Sequence, residues 1–220
     1  MRAVVAGGTG LTGSFLLRAL SASAAFSEVI ALTRHDKSAE VQKIIWCKTD
    51  YADPDALQKA CKGADAAFCA LGTTIAKAGS KEAFIRVDRT FVLNFAEAAK
   101  AAGCMNFYLI SAVGASSDSR VFYSRVKGET EAALRDMGFA SLGIFRPSFL
   151  EGPREERRLG EKIGGGVMKL LSPLMAGHYA KYKPVHVKVL AEAMIGAALE
   201  KIPGDSVYTY PEIVRLAEGV

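Results

Sequence analysis

The chain has 220 residues, half of them hydrophobic, which suffices for one well-buried domain with a modest extension. A net charge of +5 raises the question of nucleic acid, yet basic residues lie among acids, as in Arg154-Glu155-Glu156-Arg157-Arg158, and no basic run is interleaved with aromatics. No nucleic-acid partner is expected, and no membrane partner either, because no apolar run is long enough to span a bilayer.

Cys47, Cys61, Cys69 and Cys104 show no C-x-x-C pairing. Cys47 and Cys69 fall in apolar, strand-like runs, so the expectation is buried free thiols in a reducing compartment, with a cytoplasmic location. The apolar opening followed by Ala19-Leu-Ser-Ala-Ser-Ala24 imitates a secretory leader, but Gly7, Gly8, Gly10 and Gly13 break the apolar core such a segment needs.

Ala3 to Ala6 reads as a fully buried strand. Glycines follow at once, and Leu11, Phe15, Leu16, Ala19 and Leu20 then recur at helical spacing. Strand, glycine turn and helix open a nucleotide-binding βαβ unit. The spacing is Gly7-x-x-Gly10-x-x-Gly13, not the better known G-x-G-x-x-G, and its place between first strand and first helix carries the argument. Gly7 allows the tight turn, Gly10 lets backbone approach a pyrophosphate, and Gly13 lets the helix pack on the sheet. Phosphates would sit on free N–H groups at the helix start, which makes Gly7, Thr9, Gly10, Leu11, Thr12 and Gly13 candidate cofactor contacts.

Val29 to Leu32 is a second strand, ending in Thr33-Arg34-His35. An acid at this point would hold the adenosine ribose, whereas an arginine pairs with a 2′-phosphate; Arg34 comes first and Asp36 later, so NADP(H) is preferred and NAD(H) remains possible. Ile44 to Cys47 is a third strand, after which Asp50 and Tyr51 border the adenine or Asp50 serves a helix start. Asp53 caps and Pro54 opens a helix to Cys61. Ala66 to Leu71 is a fourth strand, and Gly72-Thr73-Thr74 gives a compact turn beside the cofactor, with Leu71, Gly72 and Thr73 as candidate contacts. One long helix is expected from Lys81 to Ala102, with Phe84, Val87, Phe91, Phe95 and Ala98 on its apolar stripe and Gly103 at its end.

Phe107 to Ile110 is a fifth strand ending in Ser111, Phe122 to Met137 a helix stopped by Gly138, and Ser141 to Phe145 a sixth strand closed by Arg146-Pro147. The alternation predicts an α/β, doubly wound parallel sheet, a single domain over 1–220. Residues 148–185 read as a substrate-side lid, with Gly164-Gly-Gly166 and a short apolar helix near Val167–Leu171. Val187 to Leu199 is helical, Val207 to Thr209 a last strand, and Pro211 to Ala217 a final helix.

Tyr123 and Lys127 lie four apart on a predicted helix and share a face. A free tyrosine, with a pKa of ~10, is a poor acid–base group at neutral pH, and a neighbouring ammonium lowers that value. Ser111, at the carboxyl edge of the sheet, would face the same crevice and bond a substrate carbonyl. Tyr179 and Lys183 repeat the spacing, but Pro184 follows directly and no strand ending in serine precedes them. His178 and His186 lack a third ligand at metal spacing, so no metal is expected. His35 is a candidate phosphate neighbour. Arg146 and Pro147 border the nicotinamide or merely end the strand.

Gly7 to Gly13, Ser111, Tyr123 and Lys127, in that order, resemble the short-chain dehydrogenase/reductase superfamily. Leu71-Gly-Thr-Thr74, Arg86-Val-Asp-Arg89, Val126-Lys-Gly-Glu129 and Phe145-Arg-Pro147 are similar to its atypical members, the Tat-interacting oxidoreductase-like group. The resemblance covers most of residues 1–160. It implies a Ser–Tyr–Lys site in which Tyr123 passes a proton to or from a substrate oxygen, Lys127 holds the nicotinamide ribose, and Ser111 positions the carbonyl. Asp88 stands where many extended relatives carry asparagine, which puts an asparagine-held proton relay in doubt.

Three functions fit this pattern: an NADP(H)-dependent oxidoreductase of a small carbonyl or alcohol, a nucleotide-sugar epimerase or dehydratase, and a non-catalytic NADP(H)-binding redox sensor. The partner is a small-molecule substrate in the first two, and monomer and homodimer are equally compatible with the surface helices.

Overall fold

The computed structural model describes residues 1–37, 42–153 and 177–220. Seven parallel strands form one sheet: β1 (Arg2–Ala6), β2 (Glu28–Thr33), β3 (Ile44–Lys48), β4 (Ala66–Cys69), β5 (Asn106–Ile110), β6 (Ser141–Phe145) and β9 (Gly204–Tyr208), in the spatial order β3-β2-β1-β4-β5-β6-β9. The doubly wound expectation holds. Along β1, Ala3 and Val5 enter the core on one face of the sheet, while Val4 and Ala6 enter the core on the other. A strand covered on both faces needs an unbroken apolar run rather than alternation, which is how these short segments read.

Helix α1 (Leu11–Ala22) covers the first face through Leu16, Leu17 and Leu20. It is joined there by α7 (Val187–Glu200) with Leu190 and Met194, and by α8 (Tyr210–Ala217) with Ile213 and Leu216. On the second face lie α2 (Pro54–Cys61) with Leu57, α5 (Phe91–Ala101) with Val92 and Phe95, and α6 (Phe122–Asp136) with Leu134. Gly103 at φ +89° and Gly138 at φ +65° end α5 and α6 as expected.

The single helix expected over Lys81 to Ala102 is instead broken. A short α3 (Ile75–Ala78) precedes α4 (Lys81–Ile85), and Arg86–Thr90 forms a π-helical turn before α5. The wider turn advances the buried face by one residue, from Val87 and Phe91 to Asp88 and Val92. Apolar periodicity assumes a constant 3.6-residue turn and is blind to such an insertion. An ionisable side chain enters the core in consequence.

Beyond β6, β7 (Leu150–Glu151) pairs in parallel with β8 (Val185–His186) as a separate two-stranded sheet, and a 3-10 helix spans Gly177–Tyr182. The glycine run Gly164–Gly166 and the helix expected near Val167–Leu171 lie outside the described residues. The last strand lies earlier than Val207–Thr209, because its pairing with β6 runs from Gly204 opposite Ser141 to Tyr208 opposite Phe145.

Candidate functional site

Strand order reverses between β1 and β4, so their connections leave in opposite directions and open a crevice at the carboxyl edge. The turn after β1 is packed so tightly that side chains are forbidden in it. Gly7 sits at φ +82°, where a Cβ would come within 2.5 Å of the Ala70 carbonyl. At Gly13 a Cβ would lie 2.1 Å from the Gly7 oxygen, so this glycine brings α1 against the turn itself rather than against the sheet. Gly10 is the N-cap of α1, no side chain caps the helix, and no acid stands in its first turn. Thr9 and Gly10 are exposed, Leu11 is half-buried, and Thr12 and Gly13 are buried. The first N–H groups of such a helix have no partner within it and suit an anion.

Leu71, Gly72 and Thr73 follow β4 and meet the next component. The Thr73 N–H donates to Asp88 Oδ2 at 2.8 Å, and Asp88 Oδ1 forms an ion pair with Lys127 Nζ at 2.8 Å. Both side chains are buried, at 0% and 5% exposure. Burial by itself would pull the Lys127 ammonium down; the Asp88 charge and the Tyr123 phenol outweigh it, and its pKa stands above that of a free lysine. Asp88 is the one ion-pair or hydrogen-bond partner of this ammonium among the described residues, which leaves donors over for a ligand. A Cβ at Gly72 would stand 3.5 Å from Asp88 Oδ1 and 3.8 Å from Lys127 Nζ, so the loop backbone lies directly against the pair.

One turn before Lys127, the half-buried Tyr123 packs its ring on Phe84 at 5.6 Å, and its hydroxyl has no hydrogen-bond partner among the described residues. One turn after it comes Glu131, fully buried. Ser111 donates its hydroxyl to Glu131 Oε1 at 2.5 Å. Arg146 donates Nε to the same oxygen at 3.0 Å and a terminal N–H to Oε2, where Arg135 also lies at 3.4 Å. This corrects the expectation for Ser111: its one proton goes to Glu131, not to the crevice. Arg146 holds Glu131, and the buried Pro147 accepts the Val113 N–H at 2.9 Å.

At the end of β2, Arg34 and His35 are exposed, and Asp36 is paired with Lys48 at 2.8 Å, so the acid of this turn is already neutralised. Asp50 accepts the Ala52 N–H at 2.9 Å, while Asp53 caps α2 through the Ala56 N–H at 3.0 Å. Tyr51 is buried and stacks on Phe91 at 5.6 Å. Tyr179 lies in the 3-10 helix and Lys183 beyond it, so they share no helix face. His186 caps α7 by accepting the Lys188 N–H, and the described residues contain no group of three metal ligands.

Glu131 escaped the sequence reading, and Asp88 entered it only through the resemblance, with no ion pair to Lys127 foreseen. Glu131 carried a usable signal, being four residues beyond Lys127 on the same face as Tyr123.

Residues 7–160 match the NAD(P)H-binding family. The chain belongs to that family. It is 37% identical over 194 residues to Protein HTATIP2 of Rattus norvegicus, covering 87% of this chain and 78% of that one. It is 38% identical over 174 residues to Protein FMP52-1, mitochondrial, of Scheffersomyces stipitis, covering 78% and 77%. Its fold matches that of MoeE5 in complex with UDP-glucose and NAD, with a TM-score of 0.70, 16% identity, and coverage of 99% of this chain and 81% of that one. The placement among atypical short-chain dehydrogenases/reductases therefore holds, and the fold is a Rossmann fold. No helix among the described residues is long and apolar enough to cross a membrane. The mitochondrial naming of the yeast relative leaves the cytoplasmic expectation without support from the family.

Proposed function

We propose that this protein is an NADP(H)-dependent oxidoreductase acting on a small carbonyl or alcohol. One observation carries the reading: a half-buried tyrosine hydroxyl without a hydrogen-bond partner among the described residues stands one helical turn from a buried ammonium that has donors to spare. A polar group left open in this way is matched to a ligand. The uncapped start of α1, against a turn that only glycine fits, suits a dinucleotide diphosphate held by Gly7, Thr9, Gly10, Leu11, Thr12 and Gly13. Leu71, Gly72, Thr73 and Pro147 would line its nicotinamide end, Asp50 its adenine end, and Arg34 a 2′-phosphate, since Asp36 is engaged by Lys48.

When bound, the cofactor supplies the hydride chemistry. Tyr123 holds and transfers the proton at the substrate oxygen. Lys127, held in place by Asp88, would donate to the nicotinamide ribose. Ser111 and Glu131 shape the wall beside them. The 148–185 segment would cover the substrate.

The test is a fluorescence titration with NADPH and NADH followed by a carbonyl panel under NADPH. Cofactor uptake and turnover, with turnover lost in Tyr123→Phe, support the reading. Uptake without turnover on any compound favours a redox sensor. The likeness to MoeE5 favours a second reading, an enzyme of nucleotide sugars, which predicts that UDP-glucose binds the cofactor-loaded protein.

A further inference from the structure

Asp88 enters the core only because the helix widens at Arg86–Thr90, and it meets two elements there. Its Oδ2 accepts the Thr73 N–H from the loop after β4, and its Oδ1 pairs with Lys127 of α6, while its own carbonyl accepts the Thr130 hydroxyl at 3.2 Å. The π-turn interrupts the regular helix and sets a carboxylate against Lys127; such insertions recur at functional sites.

We propose that Asp88 is a positioning residue for the dinucleotide, keeping Lys127 charged and aimed while locking the Leu71–Thr73 loop beside it. This rests on the reading that a nicotinamide cofactor occupies the crevice. Asp88 holds these two cofactor-facing parts at a fixed mutual distance, and its charge compensates an ammonium that has almost no access to water. Without that carboxylate the largest opposing charge is gone, and burial favours release of the proton. Three titratable groups face this ammonium: Asp88 from the π-turn, Tyr123 from its own helix, and Cys69 from β4. Burial pushes the Cys69 thiol up to about 12, so it stays protonated at moderately alkaline pH.

The experiment is NADPH affinity, with NADH alongside, from about pH 7 to about pH 9, where the 2′-phosphate charge is already settled. Wild type is expected to change less than about twofold, whereas Asp88→Asn, which keeps the Thr73 acceptor but loses the charge, weakens about tenfold as pH rises. Asp88→Glu should restore the flat profile, and Tyr123→Phe repeats the titration without the phenol. Identical profiles for wild type and Asp88→Asn overturn the proposal, while failure of wild type to bind either nucleotide overturns the cofactor reading instead. Should Asp88→Asn fold poorly, the neutral pair Asp88→Asn/Lys127→Met decides. Affinity equal to that of Lys127→Met supports action through the lysine, and weaker affinity refutes it.

Discussion

Ser111 gives its hydroxyl proton to Glu131 across 2.5 Å, and Glu131 is in turn gripped by Arg146. With that proton engaged, the proposed mechanism leaves Tyr123 to donate to a substrate oxygen. Tyr123→Phe is therefore expected to lower turnover by about 10²–10⁴-fold with NADPH affinity intact, and Ser111→Ala by about tenfold or less. Steady-state kinetics on one accepted carbonyl checks the ranking. Equal losses in the two variants would return Ser111 to the substrate.

Glu131 has a structural duty too. Glu131→Ala removes the acceptor of the Ser111 hydroxyl and the partner of Arg146, which at 26% exposure can turn to water, so the expected loss is about 1–3 kcal/mol of folding stability. Ser111→Ala, which leaves that pair whole, should cost about 1 kcal/mol. Urea denaturation of the two variants measures both numbers.

At the glycine turn, Gly13→Ala drives a methyl into the Gly7 carbonyl, so both nucleotides are expected to lose affinity and stability to fall by about 1–3 kcal/mol or more. Gly79 is an internal control: it has a positive φ of +83° but nothing within 4 Å of its would-be Cβ. Gly79→Ala should cost about 1 kcal/mol through backbone strain alone and leave nucleotide binding unchanged. Nucleotide titration alongside thermal melting separates the two effects.

Arg34→Ala is expected to weaken NADPH about tenfold while NADH affinity stays level, because only the 2′-phosphate loses a partner. The ratio of the two dissociation constants is the measurement. An unchanged ratio would remove the NADP preference.

Alkaline pH should unfold the protein through its buried thiols. Burial pushes Cys61 and Cys69 from 9.0 up to about 12, and Tyr108 from 10.0 up to about 12. The Lys127 ammonium is likewise raised above its ordinary value by Asp88, against the pull of burial. In each case the folded chain keeps a proton that the unfolded chain releases, so stability is complete below the unfolded values and declines as pH climbs through 9.0 toward 12. Each thiol contributes a slope of about 1.4 kcal/mol per pH unit in that window. Denaturant midpoints between pH 8 and 11 should fall accordingly, and Cys61→Ala should flatten the fall.

Local patterns in the chain reached far. The apolar runs of β1 and β4, the glycine turn, the Asp53 cap and the four-residue step from Tyr123 to Lys127 are properties of neighbouring residues, and short-range geometry dictates them. They sufficed for the sheet, the glycine turn and the shared helix of Tyr123 and Lys127. What the sequence alone could not decide was which polar groups would be buried together. Glu131 draws its partners from the ends of β5 and β6, twenty and fifteen residues away, and Asp88 reaches Lys127 only because a π-turn shifts the buried face by one position. Such pairings depend on which elements the closed sheet makes adjacent, and the energy that fixes them, the avoidance of an uncompensated charge away from water, exists only once the chain has folded around it.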